Sequence, residues 1–322
     1  MSVTFSGAFT FNGGGLTLTL APPAPTPTAG WYAGGGGTFP ISSAFSTISR
    51  ITFATDTATS SDRGPLSSAR YGMGGAGNNT AGWFGSGYST AAAGPSSDVN
   101  RITYATDTAT ASSRGPMALA IFGLAGVSND TDGWFAGGAG GGVRSTVQRI
   151  TFATDTATAS LRGTLNTSTY YLAGVTDNTT YGWFGGGSPG TNLSTVQRIT
   201  YATDTASASL RGPLNSGMSD LAGIGNSTDG WFAGGRNPGL KSLVQRITYA
   251  TDTATASVRG PLSSARRNIA ASGNSTDGWF GGGYNIVSTV DRITYATDTA
   301  TASVRGPLSS AVFNESATSG LQ

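Results

Sequence analysis

The stretch Ser288–Pro307 reads STVDRITYATDTATASVRGP, and near-copies of it occur six times along the chain. The Arg-Ile-Thr cores of these copies recur at intervals of 51, 48, 49, 48 and 46 residues. They begin at Arg50, Arg101, Arg149, Arg198, Arg246 and Arg292. In each copy an alternating run leads into Ala-Thr-Asp-Thr-Ala, and a second run ends at Arg-Gly. Alternation on both sides of a short polar turn indicates an antiparallel β-hairpin, so the chain is predicted to be an array of β repeats.

A second marker, Gly-Trp followed by Phe or Tyr, precedes each hairpin. Its copies contain the six tryptophans of the chain: Trp31, Trp83, Trp134, Trp183, Trp231 and Trp279. With the segment ahead of it, such as Arg267–Ser272, each unit holds four candidate strands, which is the content of one propeller blade. We therefore predict an all-β fold in which residues 31–322 form a six-bladed β-propeller with four-stranded blades.

The two ends of the array complement each other. The first unit begins at Trp31 and lacks a first strand, whereas Ala311–Gly320 aligns with first-strand segments such as Ala265–Gly273. We therefore predict that the C-terminal strand completes blade one and closes the ring. Closure of this kind leaves no unpaired end blade and removes an aggregation-prone edge.

Residues 1–20 stand apart from the repeats and predict a separate β-hairpin with one apolar side. Its alternating apolar residues include Phe5, Phe9, Phe11, Leu16, Leu18 and Leu20. Because a lone hairpin is marginal in water, we expect this side to be covered, and we interpret it as a virion anchor. Packing of the hairpin against its own propeller is the alternative. Residues 21–30, APPAPTPTAG, form a proline-rich spacer of polyproline type.

The composition offers little for catalysis or metal binding. The chain has no cysteine and no histidine, so it lacks thiolate ligands and the usual base at neutral pH. We predict no enzymatic activity, no cofactor and no metal site. No run approaches the roughly 18 apolar residues of a membrane helix, and the start lacks the pattern of a secretory signal, so we expect no membrane insertion.

Most of the charge belongs to the repeats, and the net charge is only +2. Twelve of the 18 basic residues are the two arginines of each repeat, and six of the 16 acids are the aspartates of Ala-Thr-Asp-Thr-Ala. We interpret these aspartates as hairpin-turn residues. The strand directions predict both arginine rings near one face and the aspartate ring near the other, which would polarise the propeller. Neutralisation of the arginines between blades is the alternative.

Repeat-to-repeat variation concentrates between the second and third strands. These segments are residues 86–100, 139–146, 188–195, 236–243 and 284–288. Variable loops on a rigid scaffold are where binding sites usually lie. We predict a cationic receptor face for an anionic cell-surface polysaccharide, with no role in binding nucleic acid. Its candidate residues are Tyr88, Arg144, Arg236, Lys241, Arg266, Arg267 and Tyr284.

The unit resembles a kelch repeat in its aromatic second strand that ends in paired glycines, such as Gly137-Gly138 and Gly282-Gly283. The repeat wording and the opening MSVTFSGAFTFNGGG also resemble repeat-bearing virion proteins of marine cyanophages. This resemblance implies a tail- or fibre-associated structural protein, made in the host cytoplasm, present in many copies and bound to other virion proteins through residues 1–20. A carbohydrate-binding lectin that acts alone is the alternative function.

Overall fold

The computed structural model describes residues 8–12, 15–19, 26–37 and 42–320. Within these ranges the chain forms six four-stranded antiparallel sheets. The first strands of neighbouring sheets contact one another in a closed cycle, so the sheets stand around a central channel as blades. The prediction of a six-bladed β-propeller is confirmed.

The strands of each blade are given in order from the channel outwards. Blade one contains β28 (Ser316–Ser319), β3 (Ala29–Ala33), β4 (Ile48–Thr52) and β5 (Ser61–Arg63); blade two contains β6 (Gly74–Gly77), β7 (Ala81–Gly85), β10 (Val99–Thr103) and β11 (Ser112–Arg114); blade three contains β12 (Ala125–Ser128), β13 (Asp132–Ala136), β14 (Thr146–Thr151) and β15 (Ser160–Thr164). Blade four contains β16 (Ala173–Thr176), β17 (Tyr181–Gly185), β18 (Val196–Thr200) and β19 (Ser209–Arg211); blade five contains β20 (Ala222–Gly225), β21 (Asp229–Ala233), β22 (Val244–Thr248) and β23 (Ser257–Arg259); blade six contains β24 (Ala270–Gly273), β25 (Asp277–Gly281), β26 (Val290–Thr294) and β27 (Ser303–Arg305).

Short elements complete the described fold. A 3₁₀ turn follows the third strand of every blade: Phe53–Thr55, Tyr104–Thr106, Phe152–Thr154, Tyr201–Thr203, Tyr249–Thr251 and Tyr295–Thr297. In blade two, β8 (Tyr88–Ser89) and β9 (Gly94–Pro95) form a small ribbon within the loop between the second and third strands. Among the described residues, no helix is long and apolar enough to cross a membrane.

The C-terminal strand closes the ring as the sequence predicts. β28 pairs antiparallel with β3, so that Thr318 lies opposite Trp31 and Ala317 opposite Tyr32. Blade one is therefore built from both ends of the repeat array, and its first strand is protected on one edge by pairing.

The N-terminal extension contains a hairpin of β1 (Ala8–Asn12) and β2 (Gly15–Thr19). In its antiparallel register Phe9 pairs with Leu18, and Phe11 pairs with Leu16. The other two residues of the predicted apolar side, Phe5 and Leu20, lie outside the described residues.

The core lies between the blades, where each tryptophan stacks on an aromatic ring of the following blade. Trp83 lies 3.8 Å from Phe152 and Trp183 lies 4.1 Å from Tyr249, centroid to centroid, with the rings nearly parallel. The Trp183 side chain is completely buried. The repeated aromatic residues therefore belong to the core, where the stacked rings cover each other's faces.

Each blade is bound to the next blade through hydrogen bonds and ion pairs to one aspartate. In the boundary between blades four and five, Trp183 Nε1 donates to Asp252 Oδ2 at 2.8 Å and Arg198 Nη1 donates to the same oxygen at 3.0 Å. Arg211 Nε lies 3.4 Å from that oxygen. The backbone adds a further bond, because the Gly212 amide donates to the Asp252 carbonyl at 2.8 Å. We call this arrangement the inter-blade clasp.

The clasp is present at all six blade boundaries, with Trp Nε1 to carboxylate distances of 2.8 Å in each. Its acceptors, in the order of the donating tryptophans, are Asp107, Asp155, Asp204, Asp252, Asp298 and Asp56. The last of them joins blade six to blade one and so completes the circle.

The clasp corrects two expectations about the repeat charges. The aspartate side chains do not serve the hairpin turn in which they lie, because they accept hydrogen bonds from the preceding blade. All twelve repeat arginines have a guanidinium nitrogen within 3.0–3.5 Å of these carboxylates. The prediction of arginine and aspartate rings at opposite faces is therefore wrong, since both arginines of each repeat meet an aspartate of the next repeat at the same blade boundary.

Small residues allow the first strands to meet around the channel. A Cβ atom on Gly126 would lie 2.1 Å from the carbonyl oxygen of Gly75 in the neighbouring blade, and one on Gly223 would lie 2.4 Å from that of Gly174. Backbone therefore packs against backbone here, which only a residue without a side chain permits. The same constraint explains the glycine of Arg-Gly, because a Cβ on Gly212 would lie 2.0 Å from the Ala254 carbonyl oxygen.

The boundary between blades six and one contains a buried acid. Glu315 occupies the position that is apolar in the other blades, namely Met73, Leu124, Leu172, Leu221 and Ile269. Its side chain is buried, and its Oε1 atom has no hydrogen-bond partner among the described residues. Burial raises the pKa of Glu315 to about 8, although the nearby positive charge of Arg266 acts in the opposite direction. The carboxyl is therefore largely protonated at neutral pH.

We expect Asp252→Ala to lower the free energy of unfolding by about 2–4 kcal/mol, because it leaves two partly buried guanidinium groups and an indole without their acceptor. The measurement is the urea unfolding midpoint. Asp130→Ala is the matched control, since Asp130 is exposed and lies outside the clasps; its effect should stay within about 0.5 kcal/mol. Equal effects of the two substitutions would contradict the structural role of the clasp.

We expect Glu315→Leu to stabilise the protein, and to do so more at pH 8 than at pH 5. The pKa of Glu315 is about 8 in the folded chain and 4.5 as the ordinary value. Between these values unfolding releases a proton, so the stability of the unaltered chain falls as the pH rises. Unfolding midpoints of the unaltered chain, Glu315→Leu and Glu315→Gln across this range provide the test. Both variants should lose this component of the pH dependence. If the difference in unfolding midpoint between each variant and the unaltered chain stayed the same at every pH, the proposed role of the buried acid would be contradicted.

Candidate functional site

The variable loops gather at one end of the propeller, which we call the loop face. There the loops between second and third strands pair with the segments that link each blade to the next. Phe122 bridges Ala139 in this way, and Ser219 bridges Arg236. These two kinds of segment therefore share one face of the propeller.

Six residues, one from each linking segment, encircle the channel at the loop face. This mouth ring consists of Gly72, Gly123, Tyr171, Asp220, Asn268 and Asn314. Every member has a left-handed backbone, with φ between 54° and 66°. The amide of each donates to the carbonyl of the member in the preceding blade at 2.7–2.9 Å, so the hydrogen bonds form a closed circle.

Four members of the mouth ring are not glycine, although the left-handed conformation is unfavourable for a bulky side chain such as that of tyrosine. Strained backbone of this kind is held only by its surroundings and is concentrated at functional sites. In this ring the circle of hydrogen bonds supplies the restraint. It places the side chains of Tyr171, Asp220, Asn268 and Asn314 around one narrow opening.

Tyr171 extends across the opening. Its ring lies over Gly123, where an added Cβ would be 3.1 Å from the aromatic carbons. Its hydroxyl lies close to the Asn314 side chain of blade one, on the opposite side of the ring, and burial raises the pKa of Tyr171. Tyr171 therefore extends over the mouth, and Gly123 provides the space for its ring.

Asp220 and its partners form the polar side of the mouth. The Asp220 carboxylate pairs with Arg236 Nε at 2.8 Å and accepts bonds from the Ser219 hydroxyl at 2.8 Å and from Asn268 Nδ2 at 2.9 Å. The carboxylate is fixed in orientation and its charge is balanced locally. Below the mouth the channel contains a cavity of about 120 Å³ lined by the first strands.

Aromatic residues extend from the mouth across the linking segments of blades two to four. Successive rings are close to one another. The ring centroids are 5.2 Å apart for Tyr71 and Tyr88, 5.6 Å apart for Tyr88 and Phe122, and 6.2 Å apart for Phe122 and Tyr171. Tyr170 adjoins Tyr171 at 4.8 Å. All five residues are half-buried. We call this group the aromatic arc.

The structure corrects one candidate of the receptor face and limits others. Arg266 is 3% exposed, and its guanidinium donates to the carbonyls of Gly282 and Thr289 and pairs with Asp291 at 2.6 Å. The prediction that Arg266 contributes to an exposed receptor surface is therefore wrong. It fixes the loop of blade six instead. Arg236 remains partly exposed but is paired with Asp220.

The remaining candidates are distributed around the loop face. Tyr88 belongs to the aromatic arc, whereas Tyr284 lies in blade six beneath the guanidinium of Arg267, 4.2 Å from the ring centroid. Arg144 is exposed and donates to the carbonyl of Gly140 at 2.6 Å within its own loop. Lys241 is half-buried in the loop of blade five. The structure thus does not bring the predicted cationic residues together into one cluster.

Sequence reasoning missed the loop-fixing role of Arg70 and most of the arc. Arg70 is completely buried and donates to the carbonyls of Ser86 and Asp98 and to Asn100 Oδ1. Desolvation by burial lowers its pKa to about 10. Tyr71, Phe122, Tyr170 and Tyr171 were missed because they lie in linking segments rather than in the variable loops. Their aromatic character at aligned positions of three successive repeats was the available signal.

The opposite face also has clefts between blades, such as the one lined by Trp83, Arg101, Asp130 and Phe152. The tryptophan there is stacked on the phenylalanine and its indole N–H is committed to the clasp. These clefts therefore present no open aromatic face, which leaves the loop face as the candidate site.

No protein-family model matches the chain, and no curated protein is found to be similar to it.

Proposed function

We propose that the chain is a structural protein of a phage virion, associated with the tail or a fibre, which is anchored by its N-terminus and presents the propeller for host adhesion or decoration. The observation that carries this proposal is the separation of constant and variable parts within one ring. The six clasps repeat with nearly the same geometry, whereas the loops and linking segments at the loop face differ from blade to blade. Resemblance of the repeat wording to cyanophage virion proteins supports the same role.

The scaffold suits presentation of a binding surface. Because each blade is fixed to the next by buried aromatic stacking and a clasp, substitutions in the loops can alter the surface without altering the ring. A closed ring also has no end blade whose edge could pair with other chains. Such a module can be exposed outside a particle and still resist aggregation.

The described charges favour binding over catalysis. The six repeat aspartates are committed to clasps, and Asp220 is paired with Arg236. A general acid or base needs a titratable group placed next to a reacting atom. The sequence has neither histidine nor cysteine, and Glu315, whose pKa is raised to about 8, is buried. We therefore propose a binding protein rather than an enzyme.

The N-terminal segment supplies the proposed attachment. The hairpin of β1 and β2 is followed by a proline-rich stretch that ends where β3 begins at Ala29, so the predicted spacer is two residues shorter than residues 21–30. This stretch would hold an anchored hairpin away from the propeller. We propose that residues 1–20 bind other virion proteins, in many copies per particle, after synthesis in the host cytoplasm. A lectin that acts outside a particle is the second candidate, and the aromatic arc is the observation that favours it.

We expect that removal of residues 1–25 leaves a folded propeller that is no longer incorporated into particles. The deletion ends there because the Thr28 carbonyl accepts from the Phe53 amide and β3 begins at Ala29. Mass spectrometry of purified particles measures incorporation, and thermal unfolding of the isolated protein verifies the fold.

The double substitution Phe9→Asp and Leu18→Asp is the matched variant in the full chain, because these residues pair in the hairpin register. It should prevent incorporation as the deletion does. Incorporation at the normal level with both variants would refute the anchor, and an unfolded truncated protein would show that the hairpin supports the propeller instead.

A further inference from the structure

We propose that the aromatic arc and the adjoining mouth ring form a single binding site for a neutral oligosaccharide. This assignment rests on the proposed adhesive function and specifies its ligand. It differs from the anionic polysaccharide expected from the sequence, because the structure shows how the nearby charges are used.

The arc provides the apolar part of the site. Sugar-sized ligands bind in concave regions lined by aromatic side chains with a few fixed polar groups. Tyrosine suits such a surface since it offers a large, amphipathic contact area with little conformational entropy to lose. Tyr71, Tyr88 and Phe122 are half-buried and in mutual contact, so their rings are held in place before a ligand arrives.

The mouth ring provides the polar part. Tyr171 belongs to both groups, and Asp220, Asn268 and Asn314 follow it around the opening. Asn268 is half-buried at the opening, and the more deeply buried Asp220 and Asn314 line it. Their carboxylate and amide oxygens and their amide nitrogens are the kinds of acceptor and donor that sugar hydroxyls require. The closed circle of backbone hydrogen bonds fixes their positions, so binding would cost little ordering.

The electrostatics favour a neutral ligand over an anionic one. Asp220 is balanced by Arg236 at 2.8 Å, and Arg70, the arginine nearest to Tyr71 in sequence, is buried and bonded to backbone carbonyls. An anionic sugar would therefore find no uncommitted cation from these two arginines. A neutral sugar needs none, and it can accept hydrogen bonds from the partly exposed Arg236 guanidinium.

The site is predicted to be single, in contrast to the six-fold core. The linking-segment position of Tyr71 is aromatic in blade three (Phe122) and blade four (Tyr170), but it is Ser219 in blade five and Arg267 in blade six. In blade one it is Phe313, which is buried and contacts Tyr284 of blade six. One ligand per chain is therefore expected.

The test uses the full chain on an array of neutral and anionic oligosaccharides, followed by calorimetric titration with the neutral oligosaccharide that binds best. Tyr88→Ala should weaken binding by about tenfold or more, whereas Tyr284→Ala, a half-buried tyrosine of the same face outside the arc, should leave it unchanged. Tyr88→Phe keeps the ring and should retain most of the affinity. Asp220→Asn tests the polar part and should also weaken binding. Thermal unfolding of each variant verifies that the fold is retained.

The outcomes separate this inference from the proposed function. Binding confined to anionic oligosaccharides, and lost between about 20 mM and about 500 mM salt, would overturn the neutral ligand. Binding that survives Tyr88→Ala and Asp220→Asn would place the site elsewhere and overturn the assignment. An absence of glycan binding, with normal incorporation into particles, would refute the site but leave the virion role standing. Glycan binding by a chain that is never found in particles would refute the virion role but leave the binding site standing.

Discussion

The rest of the structure depends on the carboxylate at each blade boundary. A propeller blade cannot bury both of its faces alone, so its stability comes from neighbours, and the geometry between neighbours must repeat until the ring closes. The clasp fixes that geometry at one point, because one oxygen of Asp252 accepts from the Trp183 indole and the Arg198 guanidinium. A shift between blades would break both bonds and leave charges partly buried without partners. Six repetitions of one local interaction therefore determine the global closure.

The period, the four strands per blade and the closing strand could be predicted from the sequence because they follow from local alternation and from alignment of the repeats. The partner of each aspartate could not, since Asp252 and Trp183 belong to different repeats and their meeting depends on the rotation between blades. Treating each repeat alone placed the arginine and aspartate rings at opposite faces, whereas packing of adjacent repeats brings them together. The prediction for Arg266 failed for a related reason. An arginine outside the repeat pattern was expected to be exposed, whereas in the fold it is paired with Asp291.

The candidate site was harder to predict than the fold because it depends on residues that break the repeat. Variable loops attracted attention through their length, but Tyr71, Phe122 and Tyr171 lie in linking segments of nearly constant length. Their significance appears only when three blades stand side by side and the rings come within 5–7 Å of one another. A repeat protein can therefore hide a single asymmetric site within a symmetric array, since each blade contributes only one part of it.

The mouth ring couples the residues of different blades more tightly than the outer loops do. The outer loops contact their neighbours at single points, such as the bond from Asn192 Nδ2 to the Arg236 carbonyl at 2.8 Å. Side chains at the mouth instead converge on one narrow opening. Tyr171 fits because its ring lies over Gly123 of blade three, and its hydroxyl lies close to the Asn314 side chain of the opposite blade. A larger residue at Gly123 would meet the tyrosine ring and would also have to adopt a left-handed backbone. The chemistry of the mouth is therefore a property of all six repeats together, and it can change only through coordinated substitutions in several blades.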